Sequence, residues 1–463
     1  MKASFPIQPT RIHLLNNKDV QKGRYVLYWM QQSQRAEYNH ALEYAVQAAN
    51  KLGLGVLVGF GLTDDYPEAN LRHYTFMLEG LRETQEALSK QGIRMVVQYG
   101  APPEVAESLG RDAALIVCDR GYLHHQKQWR SRVARSAACL VVQVESDVVV
   151  PLAVVSEKAE YAARTIRPKI HRNLDDYLIP FQASQVKQDT LDIKPSSLNL
   201  ENLDDLVKEM SLDRSIKPVS TFFKGGLSQA KIRFDAFLRQ CFQNYVNNRN
   251  QPQTDDISHM SPYLHFGQIS PLYLALQVST GPEKLREVQE SYLEELIVRR
   301  ELAMNFVQYT PRYDAFACLP QWARTTLSAH KTDFREAVYT RKQLENAQTH
   351  DDYWNAAMRE MKTTGFMHNY MRMYWGKKIL EWCKTPEYAF RTTLSMNNKY
   401  FLDGRDANSF TGVGWVYGLH DRAWFERPIF GKVRYMAASG LERKCDTKAY
   451  VQKVDTLESR AEA

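Results

Sequence analysis

"YVLYWMQQSQRAEYNHALEYAVQAANKLGLGVLVGFGL", residues 25–62, alternates two kinds of periodicity. The apolar runs at 25–30 and 55–62 are short and unbroken, as in strands buried on both faces. Between them, "EYNHALEYAVQAANKLG" (37–53) spaces its apolar residues for one face of a helix. Strand, helix and strand in this order form a crossover unit, which belongs to a parallel sheet covered by helices.

The pattern continues outward. "LRHYTFMLEGLRETQEALSKQG" (71–92) reads as the next helix and "IRMVVQYG" (93–100) as a third strand, and a short helix opens at Pro102-Pro103. "ALIVCD" (114–119), "QKQWRSRVARSAA" (126–138) and "LVVQVES" (140–146) follow as strand, helix and strand. Residues 1–150 are expected to form an α/β domain around a doubly wound parallel sheet of five strands. The fingerprints G-x-G-x-x-G and G-x-x-x-x-G-K-[ST] are both missing, so the glycines of "GLGVLVGFG" read as turn and packing residues and dinucleotide chemistry is disfavoured here. Residues 151–222 change character; "PSSLNLENLDDLVKEMSLDRSIKPVS" is polar, turn-rich and weakly periodic, the mark of an interdomain linker. From Gly225-Gly226 onward helical spacing dominates, so 223–463 is expected to be an all-α domain without a repeat period.

The chain of 463 residues, 44% hydrophobic, is long enough for two such cores. It has no apolar run long enough for a membrane span, and "MKASFPIQPTRIHLLNN" has neither an apolar h-region nor a small-residue cleavage site, so a cytoplasmic protein is expected. Its six cysteines are scattered without C-x-x-C or zinc-ligand spacing and read as reduced and structural, with no metal expected. A net charge of +7 leans toward an anionic partner.

"TGFMHNYMRMYWGKKILEW" (364–382) reads as one amphipathic helix. Gly365, Asn369, Arg372 and Gly376 follow an i, i+4, i+7, i+11 course, a stripe of small and polar groups that lets a flat ligand approach the backbone. Met367, Met371, Trp375 and Trp382 lie beside it, the two indoles in series about 10.5 Å apart along the axis. Core packing is the plain alternative for the tryptophans, and bonds to neighbouring carboxylates for Asn369 and Arg372.

Four other segments carry compatible chemistry. "SPYLHFGQISP" (261–271) is a Ser/Pro/Gly turn whose hydroxyls and free N–H groups suit a phosphate where a helix begins. In "YLEELIVRRELAMNF" (292–306) Glu295 and Arg299 stand one turn apart, as in a plain i, i+4 surface ion pair. "LDGRDANSFTGVGW" (402–415) gathers Asp403, Asp406 and Asn408 in a glycine-rich loop. "HDRAWFERPIFGKVRYM" (420–436) interleaves Arg422, Arg427, Lys432 and Arg434 with aromatics, a mix suited to phosphates and stacked bases.

Taken together and in order, "GGLSQAKIRFDAFLRQCFQNYVNNRNQP", "SPYLHFGQIS", "EELIVRRELAMNF", "TGFMHNYMRMYWGKKILEW", "LDGRDANS" and "ERPIFGKVRYM" resemble the photolyase and cryptochrome family over residues 20–450. "THDDYWNAAMREM", "MRMYWGKKILEW" and "LDGRDANSF" most resemble its class II cyclobutane pyrimidine dimer photolyases. The resemblance implies an N-terminal antenna domain and a C-terminal helical domain holding folded FAD, active as FADH−, for light-driven repair of UV-damaged DNA containing pyrimidine dimers by a monomer. An antenna pigment is left open between a deazaflavin (8-HDF), a folate and none.

By the same resemblance, Asn369 and Arg372 lie beside the flavin, with Arg372 paired to Asp403. Either Asn397 or Asn408 faces flavin N5, the class II wording leaning to Asn397. Tyr245 and the turn Ser258, His259, Met260, Ser261 contact the phosphates, with His259 and Met260 departing from the family pattern there. Asp406 and Arg299 join the cofactor contacts; at Arg299 some relatives place a Trp against the lesion. Trp375, Trp382 and Trp354 correspond to the tryptophan chain that reduces the flavin, because indoles in close series pass a hole in short hops. Glu295 is expected to bond the base edge of a flipped-out dimer, with Met373 and Trp415 packing on it and Arg249, Arg422, Lys432 and Arg434 on phosphates. Two rivals share the fold: a cryptochrome-type blue-light photoreceptor, which often carries a longer tail than follows "VRYM" here, and a 6-4 photolyase, which needs a histidine pair over the lesion.

Overall fold

The computed structural model describes residues 7–180 and 182–462, so the first six residues of the segment read for a secretory signal lie outside it. Its sheet has strands β1 (Ile12–Leu14), β2 (Tyr25–Trp29), β3 (Gly55–Leu62), β4 (Arg94–Tyr99), β5 (Ala113–Asp119) and β6 (Val141–Val144) in the order β1-β6-β5-β2-β3-β4. The five strands read from the sequence pair in parallel. The sheet as a whole is mixed, because β1 adds antiparallel to β6, Ile12 opposite Val144. Three residues on an edge are too few to show a period.

Helices α1 (His40–Leu52), α2 (Leu71–Ser89), α3 (Pro102–Gly110) and α4 (His124–Ser136) cover both faces. Alternation within β2 shows how: Val26 and Tyr28 enter one core with α1 and α2, while Tyr25, Leu27 and Trp29 enter another with α3 and α4. Helix α1 is bounded as its sequence suggests: the Asn39 side chain accepts the Ala41 and Leu42 N–H groups, and Gly53 ends it at φ +69°.

The segment 151–222 is not simply a linker. It contains α5 (Ala163–Tyr177), whose Ile166, Ile170 and Tyr177 are buried in a core of the helical domain. An interior proline, Pro168, and a polar composition hide this helix from a periodicity reading. Beyond it come α6 (Leu227–Gln240), α7 (Pro271–Ser279), α8 (Arg286–Leu293), α9 (Arg300–Tyr309), α10 (Asp352–Thr364), α11 (Asn369–Trp382), α12 (Pro386–Tyr400), α13 (Ala407–Val416) and α14 (Thr447–Glu462).

Residues 364–382 are therefore not one helix. Gly365, at φ +73°, closes α10 in the left-handed region, and the chain turns before α11 starts at Asn369. Nor is α11 amphipathic: Met371, Tyr374, Trp375, Gly376, Lys377, Lys378, Ile379, Leu380 and Trp382 are buried around its whole circumference.

The domains meet along the carboxyl end of the sheet through buried polar bonds. Arg35 pairs with Asp147 at 2.8 Å and donates to the Gly267 carbonyl at 2.9 Å. Glu301 of α9 accepts the Val149 and Val150 N–H groups at 2.6 and 3.2 Å, and Arg72 donates to the Tyr400 carbonyl at 2.7 Å.

Candidate active site

The turn between α10 and α11 sets the first wall. The Leu402 N–H donates to the Gly365 carbonyl at 2.9 Å, which draws the 402–406 loop against α11. Arg372 then reaches Asp403 with both terminal nitrogens, at 2.9 and 3.0 Å, while its Nε donates to the Met367 carbonyl at 2.8 Å. Its guanidinium lies 4.0 Å from the Phe401 ring centroid. Four fixed contacts leave this cation little freedom, and a bidentate carboxylate sets its plane. Asn369, on the first turn, is exposed and stands apart from this wall. One turn beyond Arg372, Gly376 is needed for packing: a Cβ there would lie 2.6 Å from the Val416 side chain, so α13 rests on bare backbone.

The tryptophans form a series in which the partner helix supplies the middle member. Trp375 and Trp382 of α11 do not stack along one edge; Trp354 of α10 stands between them. Its indole N–H donates to the Trp375 carbonyl at 2.9 Å, and its ring centroid lies 5.5 Å from that of Trp382. Trp354, Trp375 and Trp382 are each at most 2% exposed. Trp382 contacts Tyr339 and His350, at 5.4 and 5.3 Å, and His350 is exposed, so the series runs from beside Phe401 to the surface.

Between α8 and α9, residues Glu294–Arg299 form a π-helical turn. This overturns the i, i+4 pairing of Glu295 with Arg299. The wider turn rotates them apart: Arg299 Nε bonds Glu294 at 2.9 Å, five residues back, and Arg167 of α5 holds the same carboxylate at 2.7 Å. Glu295 is released toward Arg249, 3.1 Å away, which also lies 5.9 Å from the Tyr245 ring. The Tyr245 ring is buried among Phe237 and Tyr292, and that burial pushes its hydroxyl up to about 12.

In the turn 258–261, Ser258 accepts a hydrogen bond from the Tyr292 hydroxyl at 3.0 Å, His259 sits at φ +55° with Nε2 3.0 Å from Asp255, Met260 is buried, and Ser261 opens a single helical turn. Left-handed backbone at a histidine is an uncommon conformation. Across the site Asn397 donates to Asn398 at 3.0 Å and to Ser409, and Asn408 donates to Asp406 at 3.1 Å. Asp406 lies 4.0 Å from His265.

Met373 and Trp415 are half-buried, on the two helices that meet at Gly376. Beyond Trp415, segment 420–436 carries exposed Arg422, Lys432 and Arg434; the guanidinium groups of Arg422 and Arg434 lie 5.2 and 5.0 Å from the Trp424 ring. The structure thus joins Arg372 with Asp403, Glu295 with Arg249, Asn408 with Asp406 and the three tryptophans. Arg299 and Asn369 remain outside those groups.

The residues present suit a flat, polar-edged cofactor with a diphosphate. Two buried hydrogen-bonding atoms of the site, His259 Nδ1 and Trp375 Nε1, have no hydrogen-bond partner among the described residues. The bidentate guanidinium supplies a fixed positive charge beside them.

A cavity between the domains escaped the sequence reading. It lies at the carboxyl ends of β2 and β3, lined by Met30, Leu62, Tyr66, Trp129 and Arg405, and by Asp406, which the sequence reading places among the flavin contacts. Tyr66, His125 and Trp129 pack ring on ring beside it. Strand order reverses between β2 and β5, and open α/β sheets bind ligands at such points. That topological rule was the available signal. Arg405, at φ +64° in the 402–406 loop, lines this cavity and donates to the Asn398 carbonyl of α12 at 2.9 Å, and burial lowers its pKa to about 10.

An α/β domain docked on a helical domain, with an Arg–Asp pair beside a series of buried tryptophans, is the arrangement that the resemblance to the photolyase and cryptochrome family implied. The pattern of the family described as DNA photolyase matches residues 26–187. The sequence is 48% identical to a deoxyribodipyrimidine photo-lyase of Methanothermobacter thermautotrophicus over 97% of this chain and 99% of that one. It is 37% identical to a deoxyribodipyrimidine photo-lyase of Arabidopsis thaliana, over 99% and 95%. The fold is similar to the crystal structure of a bacterial class III photolyase from Agrobacterium tumefaciens, with TM-score 0.74 at 18% identity over 94% of this chain and 87% of that one. The chain belongs to the DNA photolyase family. Among the described residues no helix is long and apolar enough to cross a membrane.

Proposed function

We propose that the chain is a light-driven lyase that returns cyclobutane pyrimidine dimers in DNA to separate bases. The observation that carries this reading is Arg372, fixed by Asp403 at 2.9 and 3.0 Å, next to a buried series of three tryptophans. FAD, when bound as FADH−, supplies the photoexcited electron. Arg372 and Asp403 would hold its ring system, with Asn397, Asp406 and Asn408 on its polar edge and Tyr245 with the turn 258–261 at its phosphates. Arg372 keeps positive charge next to an anionic ring, and Asp403 keeps that charge in place. The tryptophans offer a route for electrons from the surface.

Glu295 stands at the mouth of the site with Arg249. In this reading Arg249 turns to a phosphate when DNA docks, and Glu295 bonds the edge of the flipped lesion, a preorganised contact in a site closed by Met373 and Trp415. Arg422, Lys432 and Arg434 supply sequence-independent attraction to the backbone, so binding weakens with salt. Arg299, held by Glu294, takes no part. The helical part from residue 223, with α5 built into its core, is the catalytic domain. The interdomain cavity is the antenna site, for a deazaflavin or a folate.

Visible absorbance of the purified protein, combined with binding to ultraviolet-treated and untreated oligonucleotides, tests this reading. A bound flavin and preference for the treated DNA are expected. Equal binding to both, or no flavin, would overturn it.

A further inference from the structure

Segment 420–436 turns Arg422, Trp424, Phe425 and Arg427 outward, with Phe425 91% exposed. Within the loop the Arg427–Gly431 bridge and the Trp424 N–H bond to the Lys432 carbonyl, 2.8 Å, close a short hairpin, and contacts beneath it fix how that hairpin sits on the domain. The helix Gln321–Ala329 and the residues after it provide the support. The Lys432 N–H donates to Thr326 Oγ1 at 2.9 Å, and the Ile429 N–H to Asp333 Oδ2 at 2.8 Å. Gly431, at φ +51°, lets the loop lie close: a Cβ there would fall 2.1 Å from Thr326 Oγ1 and 2.9 Å from the His330 ring.

His330 closes the arrangement. Its Nδ1 is 2.6 Å from Asp333 Oδ2 and its Nε2 is 3.0 Å from Glu426 Oε1, so the ring ties the supporting segment to the loop itself. A neutral imidazole has one N–H and one lone pair, and a lone pair facing a carboxylate oxygen at this distance repels it. Two carboxylate partners therefore require an imidazolium donating from both nitrogens. The other charged groups nearby are Arg335 beside Asp333 and Lys432 beside Glu426.

We infer that His330 is a positioning residue for DNA docking: as an imidazolium between Asp333 and Glu426 it holds loop 420–436 in the shape that presents Arg422, Phe425 and Arg427 to the duplex around the lesion. This rests on the function proposed above. DNA is the occupant the loop fits because its basic groups complement phosphates and its free aromatic ring fits unstacked bases, as in proteins that wedge a side chain into a kinked duplex. The hydrogen bond to Glu426, then that to Asp333, raises the histidine pKa above its ordinary value. A raised pKa gives the sign: the clamp is complete below the ordinary histidine value of ~6.5 and is lost as pH rises through the higher folded value.

The test is fluorescence anisotropy of a dimer-containing duplex with the full-length protein from mildly acidic to mildly alkaline pH. For the unaltered chain, affinity falls about tenfold as pH rises, the scale of one charge-assisted contact. His330→Asn binds at the weak level with a flat profile, and His330→Arg, charged throughout, restores tight binding at alkaline pH. Glu426→Gln, which keeps the histidine, moves the midpoint to lower pH and serves if His330→Asn fails to fold. Superimposable profiles for the unaltered chain and His330→Asn, or an unmoved midpoint in Glu426→Gln, overturn the inference while leaving dimer repair standing. No binding of dimer-containing DNA at any pH overturns the functional reading itself, and this inference with it.

Discussion

Trp354 donates its indole N–H to the backbone carbonyl of Trp375 at 2.9 Å and lies 5.5 Å from Trp382, ring centre to ring centre. One residue of α10 thus joins the two indoles of α11, which stand about two turns apart along that helix. Replacing Trp354 with Phe removes the middle of the route. Photoreduction of oxidised flavin should slow by at least about tenfold, whereas chemically reduced protein keeps its repair activity. Trp382→Phe should behave the same way. Transient absorbance after a light pulse reads the first quantity, and undiminished photoreduction in Trp354→Phe would remove these residues from the electron route.

Asp403→Asn keeps the shape of the side chain and removes the charge that fixes Arg372. The loss of one charge-assisted bond, about 1.5–3 kcal/mol, should weaken flavin retention roughly tenfold to hundredfold. The ratio of visible to ultraviolet absorbance after gel filtration measures it. Full flavin content would place the pair outside the cofactor site.

Glu295 and Arg249 are partners, 3.1 Å apart, and the proposed roles separate on docking. Glu295→Ala should lower the repair yield per photon with flavin retained. Arg249→Ala should weaken DNA binding and flatten its salt dependence by about one phosphate contact. Loss of flavin from Glu295→Ala would instead make the carboxylate a structural brace.

Lys377 is fully buried beside the Trp415 helix, its ammonium donating to the Val416 carbonyl. Burial lowers its pKa to about 7. In the unfolded chain that proton is held to ~10.4, so across this window the unfolded state binds more protons and stability rises with pH. Lys377→Met should remove that rise. Thermal melting at several pH values, compared between the two proteins, checks the slope; parallel curves would contradict the depressed value.

The sequence made the parallel strands and most of the helices legible because each buries a whole period of apolar residues. It hid β1, which is three residues on an edge, and α5, whose proline breaks the pattern. The Arg372–Asp403 pair was legible only through the family resemblance, since the residues are far apart in the chain. Two local expectations failed for backbone reasons. Gly365 reads as part of a helical stripe until its left-handed φ ends α10, and Glu295 and Arg299 fit an i, i+4 spacing that a π-turn abolishes. The interdomain cavity depends on strand order, which no local pattern encodes.

The most direct measurement is recovery of the ultraviolet absorbance of thymine in dimer-containing oligothymidine, incubated with the reduced protein under blue light and in darkness. Recovery is expected in the light, none in the dark, and a much smaller light response from Glu295→Ala. A flavin-loaded protein that leaves the absorbance unchanged under light would contradict dimer repair as its function.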